Sequence, residues 1–185
     1  MLHKVALIHL PASTLSVEPL ATAVEDLLGE AVERGITITM DAAGLGTIEE
    51  FGPDQLRALV AQVRPHAFFC NRVESERLGL RGRDPIAGAV WTIVTAGPRP
   101  AILVAAGGHA RSFPVPPVST VIDRDGVGDA FVTGFVLAHL AGQRPETCMD
   151  AGHLLASRVL RQRGPQLHAH QAEANDASLP MSMKS

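Results

Sequence analysis

An α/β fold, doubly wound around a mostly parallel sheet with helices on both faces, is what three features of this 185-residue sequence predict. The candidate strands, such as "HAFFC" and "AILVAA", are short continuous apolar runs, which marks strands covered on both faces. Segments with apolar residues at helical spacing separate those runs. The runs end in polar residues or glycine turns, where an open α/β sheet offers its crevice to a ligand. The length suits one packed domain, expected over residues 1–165, with 166–185 as a disordered tail.

The elements follow in order. "KVALIHL" reads as a strand. "SVEPLATAVEDLLGEAVERG" reads as a helix, carrying Leu20, Val24, Leu27, Leu28, Ala31 and Val32 on one face, with Gly35 as its stop. The β-branched "ITITM" is a second strand, ending at Asp41. "GPDQLRALVAQV" opens with Pro53 and lines up Leu56, Leu59, Val60 and Val63, a helix; "HAFFC" is the next strand, ending at Asn71, and "RVESERLG" a short helix. "DPIAGAVWTIVTAG" is assigned to a helix, "AILVAA" to a strand and "GG" to a turn. "RSFPVPPVSTVID" is proline-broken at first and strand-like towards its end. "GDAFVTGFVLAHLAG" and "PETCMDAGHLLASRVLRQRG" are the closing helices. Nothing repeats at a fixed period.

Composition narrows the function classes. Sixteen Lys and Arg against nineteen Asp and Glu give a net charge of −3 without a basic run, which argues against nucleic acid as partner. No stretch of ~18 apolar residues is present to span a membrane, and the N-terminal apolar run, interrupted by His9 and Pro11, is too short for a signal peptide. Cys70 and Cys148 form no C-x-x-C pair, so a reducing cytoplasm is expected. His168 and His170 lie in the polar tail, where solvated histidines are the expectation over a metal site.

Polar groups gather at predicted strand ends: Asp41, Asn71 with Glu74 one turn further, Gly107 with Gly108, and Asp123. If their strands are parallel neighbours, all of them face one crevice. In "VIDRDGVGDAFVTGF", Gly126 and Gly128 permit a close approach to the main chain, and the helix start that follows offers N–H groups to an anion. Asp129 beside such a cradle is placed to take a proton from a hydroxyl attacking a phosphoryl group. The residues alone leave this open against a plain helix cap.

The stretch "DRDGVGDAFVTGF" resembles the signature D-T-x-G-A-G-D-x-F-x-x-G of the ribokinase (PfkB) family of carbohydrate and nucleoside kinases, through Asp123, Gly126, Gly128, Asp129, Phe131 and Gly134. "NRVESERL" resembles that family's N-x-x-E element through Asn71 and Glu74, and "MDAAG" its aspartate after a strand. "AILVAAGGHA" resembles the glycine turn of the nucleotide site, and "AGHLLASRVLRQRGPQ" the helix that closes on adenine. The resemblance implies an ATP- and Mg²⁺-dependent transfer of a phosphoryl group to a sugar or nucleoside hydroxyl. Asp129 would be the general base, the amides of Gly126, Val127 and Gly128 the anion hole, and Asn71 and Glu74 the organisers of Mg²⁺ through water. Gly107, Gly108, Asp123 and Gly152 would border the nucleotide.

The pattern also has departures. Arg124 stands for a threonine, and Val127 for a small alanine whose β-branched replacement would tighten or distort the cradle. Ala105 stands for a threonine, and Gly152 for an asparagine. The family's N-terminal strands, lid and sugar-seating glycine pair have no counterpart, so the resemblance implies an N-terminally truncated member, completed by a partner chain or homo-oligomer. The alternative is a non-catalytic nucleotide-binding remnant or assembly module. An open strand edge would favour self-association.

Overall fold

The computed structural model describes residues 2–81 and 83–164; the expected tail, with His168 and His170, lies outside them. Six strands form one sheet in which spatial order follows chain order: β1 (Leu7–Pro11), β2 (Thr37–Asp41), β3 (Ala67–Asn71), β4 (Trp91–Ala96), β5 (Arg99–Ala105) and β6 (Ala110–Phe113). β1 to β4 run parallel, whereas β5 and β6 are each antiparallel to the strand before. The helices are α1 (Leu20–Glu33), α2 (Leu45–Phe51), α3 (Pro53–Val63), α4 (Arg72–Arg77), α5 (Val127–Leu140) and α6 (Pro145–Val159). No helix among the described residues is long and apolar enough to cross a membrane.

Helices cover both faces, and the strand residues divide between them with a period of two. Leu10, Ile38, Met40, Phe68, Cys70 and Val94 face a core closed by Val24 and Leu28 of α1, Ile48 of α2, Leu56 and Val60 of α3, and Leu78 after α4. Ala67, Phe69, Ile93 and Leu103 face the opposite side, under Phe131 and Phe135 of α5 and Cys148 and Met149 of α6. The continuous apolar run "HAFFC" is the signature of this arrangement: Phe68 and Phe69 are both buried, on opposite faces.

Three segments differ from the sequence expectation. The segment assigned to a helix over residues 84–97 contains strand β4, because Thr92, Ile93, Val94 and Thr95 form a β-branched run that suits a pleated surface. Before it, Thr92 Oγ1 accepts the Ile86 amide at 2.9 Å, holding residues 86–92 in a turn. Between residues 111 and 123 the strand comes first, as β6, and the expected strand-like end is irregular. Helix α2 was not anticipated, since only Thr47 and Ile48 of its seven residues are buried and no periodic face shows.

The direction of β5 positions everything that follows. β4 and β5 join through Gly97 and Pro98, with Gly97 at φ +62° as the two-residue turn requires. The register sets Trp91 against Ala105 and Ala96 against Arg99. The far end of β5, with the Gly107–Gly108 turn, therefore lies beside the start of β4, away from the carboxyl ends of the parallel strands.

Candidate active site

The carboxyl ends of β2, β3 and β4 and the first turn of α5 enclose a cavity of about 190 Å³. Asp41, Asn71, Glu74, Thr95, Gly128 and Asp129 line it, with Phe69 and Phe131 among its apolar walls. Three carboxylates thus share one small chamber. The volume is below the ~300 Å³ usual for a drug-sized ligand. It has room for a phosphoryl group and a hydroxyl beside it, and its half-open mouth leaves a longer ligand free to extend outward.

Asn71 and Glu74 are joined by a reciprocal cap on α4. Asn71 Oδ1 accepts the Glu74 amide at 3.0 Å, and Glu74 Oε2 accepts the Asn71 amide at 2.7 Å. An Asn three residues before a Glu is what this box needs, so the spacing has a structural reason as well as a chemical one. Glu74 is buried at 8% exposure, which pushes its carboxyl up from the ordinary glutamate range; backbone donors at Asn71 and Gly44 oppose that, and the neighbouring Asp41 adds to it.

Asp41, at the end of β2, is held on both oxygens. Oδ1 accepts the Ala43 amide at 2.8 Å, and Oδ2 lies 2.8 Å from His9 Nε2. The turn that follows places Ala43 at φ +55° and Gly44 at φ +100°, both in the left-handed half of backbone space. An alanine there is uncommon, and its strain borders the cavity.

The glycine turn delivers α5. Gly126 is the N-cap at φ +72° and provides no side-chain cap; its carbonyl accepts the Ala130 amide at 2.9 Å. The Val127 amide reaches the Arg124 carbonyl at 3.4 Å, a long contact, and the remaining first-turn amides have no helical partner. A methyl on Gly128 would meet nothing within 4 Å, so its backbone lies open to the cavity that it lines. Val127 turns its side chain into the core under α5, and the β-branched residue leaves the helix start intact. Among the described residues the Asp129 carboxylate takes no hydrogen bond; only its carbonyl is engaged, by Thr133 Oγ1 at 2.7 Å. A capping role would have spent that carboxylate.

The other expected residues lie elsewhere. Gly107 and Gly108 sit in the β5–β6 turn at the opposite end of the sheet, because β5 is antiparallel. Gly152 is buried where α6 crosses α5, against Phe131, and is a packing residue. Asp123 stabilises the loop before α5: Oδ1 accepts the amides of Arg124 (2.6 Å) and Asp125 (3.1 Å), and Oδ2 that of Gly164 (3.0 Å). These backbone donors, Gly164 first, hold its carboxyl below the usual aspartate range, with Arg163 adding slightly.

The structure also adds residues. β4 ends in Thr95 and Ala96, with Gly97 in the turn after them, and Thr95 lines the cavity. The same spacing of a threonine and a glycine that the resemblance expects at Ala105 and Gly107 occurs at Thr95 and Gly97, ten residues earlier. The signal was the β-branched run of "WTIVTAG", hidden by reading it as a helix. His9 was seen only as a break in an apolar run.

Residues 56–172 match the family description "pfkB family carbohydrate kinase", well over half the chain. Adenosine kinase of Saccharomyces cerevisiae is 36% identical over 75 residues, covering 40% of this chain and 22% of that one. The crystal structure of adenosine kinase from Sinorhizobium meliloti superposes with a TM-score of 0.80 at 18% identity, over 90% of this chain and 52% of the other. A probable sugar kinase from Rhizobium etli CFN 42 gives 0.77 at 20% identity, over 87% and 50%. At such identities the solved structures speak for the fold, and the chain spans about half their length. The family match runs through α4, the glycine turn and α5, and it settles the kinship: this chain belongs to the pfkB carbohydrate kinase family.

Proposed function

We propose that this chain serves an ATP-dependent phosphotransferase, moving the γ-phosphoryl of ATP to a hydroxyl of a sugar or nucleoside with Asp129 as the base. The observation that carries this reading is the unengaged Asp129 carboxylate on the same small cavity as the open Gly128 backbone. Amides at Gly126, Val127 and Gly128 steady the transferring group, and Asp129, itself repelled by phosphate, takes the proton of the attacking hydroxyl. The glycine turn beside the nucleotide is Thr95–Gly97, with Asp123 ordering the loop that leads into α5.

The donor set fits Mg²⁺ held through water. Asn71 Oδ1 and Glu74 Oε2 are already occupied by each other's amides, and the three carboxylates of the cavity are not grouped closely enough to hold a metal ion directly. Mg²⁺ keeps much of its water shell and needs few protein ligands. Asn71 and Glu74 would hold that shell, and the bound ion would neutralise phosphate charge. A cytoplasmic setting is part of this reading, supported by Cys70 and Cys148 both being free and buried. The outer edge of β1 has no strand beside it among the described residues, which leaves room for a second chain or copy. A clean monomer by light scattering at high concentration would count against that association.

The test is calorimetry of MgATP binding, followed by transfer from ATP to a panel of sugars and nucleosides. Ligand at about 100 times its dissociation constant should add roughly 2.7 kcal/mol to stability. Asp129→Ala should lower the transfer rate by about 10²–10⁴ while MgATP still binds. A folded chain that neither binds MgATP nor transfers phosphate would refute the reading.

A further inference from the structure

His9 stands directly behind the cavity and has no place in the roles above. It lies on β1 opposite Thr39 of β2, with Asp41 two residues further along, so all three side chains share one face of the sheet. His9 Nε2 is 2.8 Å from Asp41 Oδ2, and Nδ1 is 3.0 Å from Thr39 Oγ1. A carboxylate only accepts, so Nε2 carries the hydrogen in either charge state of the ring; Nδ1 accepts from the Thr39 hydroxyl when it has no hydrogen and donates to it when it has one. Thr39 is buried, while the His9 ring keeps part of its surface exposed. Phe69 meets the ring edge-on at a centroid distance of 6.1 Å. The imidazole is thereby held in plane with Nε2–H aimed at Asp41, as an outer partner orients a ligand at a metal site.

We propose that His9 is a positioning residue for phosphoryl transfer: it locks the Asp41 carboxylate in the wall of the cavity that Asp129 also lines, and so shapes the space where phosphoryl and hydroxyl meet. This rests on the phosphotransferase reading. His9 does not line the cavity and touches it only through Asp41, so it governs the transfer step and leaves most of the affinity for ATP untouched. Without a donor at this position, Asp41 keeps only the Ala43 amide and swings under repulsion from Glu74, its neighbour across the cavity wall. Displacements of about 1 Å in such a site cost up to ~100-fold in rate.

Two measurements test this. In the unliganded chain, ¹⁵N NMR of the His9 ring should show a single Nε2–H tautomer with a slowly exchanging ring proton, lost in Asp41→Asn. A ring that averages between tautomers like free histidine overturns the proposal, whatever the chain catalyses. In transfer assays, His9→Ala should lower kcat by about 10- to 100-fold, with the KM for ATP within about twofold. His9→Gln, which keeps a donor, should recover most of the rate. An unchanged kcat in His9→Ala, or a KM for ATP that rises in step with the loss, overturns it as well. If the wild-type chain transfers nothing to any acceptor, the phosphotransferase reading and the role of His9 in transfer fall together, while the NMR result still decides whether the lock on Asp41 exists.

Discussion

Gly152 lies so close to Phe131 that a methyl group on it would sit 2.9 Å from Cδ2 and Cε2 of the ring and from the Phe131 carbonyl oxygen. One turn along α5, a methyl on Gly134 would fall 2.4 Å from the Ala151 carbonyl oxygen. The two glycines let α5 and α6 cross in near backbone contact, and Phe131 is held at the cavity wall as a result. Gly134→Ala should cost about 1–3 kcal/mol, as overpacking does, read from urea denaturation. An unchanged midpoint would mean that the helices part easily.

Gly128 gives the opposite expectation. Its missing Cβ faces open space in the first turn of α5, so Gly128→Ala should fold at least as well as the wild type, since alanine is favoured over glycine in a helix by about 1 kcal/mol. The methyl would instead occupy the approach to the anion cradle. Calorimetry should show weaker MgATP binding in a protein with an undiminished melting temperature.

Which glycine turn borders the nucleotide can be decided by a paired comparison. Thr95→Val removes a hydroxyl from the cavity with almost no change of shape and should weaken MgATP binding by about 1 kcal/mol, an ordinary hydrogen-bond contribution. Gly107→Ala, at the other end of the sheet, should leave binding unaltered. The reverse pattern would restore the sequence-based placement.

Asp123 links stability to acid. Its carboxyl titrates lower in the folded chain than in the unfolded one, because the Gly164, Asp125 and Arg124 amides favour the charged form. Above the ordinary aspartate value this contribution is complete. As pH falls through that value towards the depressed folded one, the unfolded chain takes up the proton first and the contribution is lost. Thermal melts between about pH 2 and 5 should therefore be less acid-dependent in Asp123→Asn than in the wild type.

A second pH effect belongs to the other end of the sheet. His66 stacks on His139 with ring centroids 4.5 Å apart and meets Trp91 edge-on at 4.5 Å, while its Nε2 is buried without a partner. Burial, and then the nearby His139, lower its pKa. The unfolded chain thus binds the proton more readily, so stability is complete above the ordinary histidine value and declines as pH falls below it. Trp91 is the single tryptophan, and its fluorescence reports directly on this stack. Its emission should change on acidification below about pH 6.5 and should hold steadier in His66→Gln.

Much of this molecule could be read from its sequence because the parallel strands are two-faced and the helices long. In "HAFFC" the continuous apolar run by itself pointed to a strand covered on both faces, and Phe68 and Phe69 are buried on opposite sides. The "DRDGVGDAF" turn was equally legible, since Gly126 needs a positive φ and Asp129 follows at fixed spacing. The β4–β5 hairpin was not. Gly97-Pro98 is a short turn between two apolar runs, and without knowing that β5 reverses direction nothing tells which glycine turn reaches the cavity. Gly152, which stands where the resemblance expects an asparagine, packs against Phe131, a contact between helices that the chain order alone does not show. His9 was invisible because its partner Asp41 is 32 residues away, joined to it only by strand pairing.

The β5–β6 turn at residues 106–109 has a practical corollary. It closes on itself through the Gly108 amide to the Ala105 carbonyl at 2.8 Å and the Ala105 amide to the His109 carbonyl at 3.0 Å. It projects from the end of the sheet opposite the cavity, and its glycines are exposed. A fluorophore or a short affinity peptide grafted there would tether the molecule to a sensor chip with its cleft pointing into the flow.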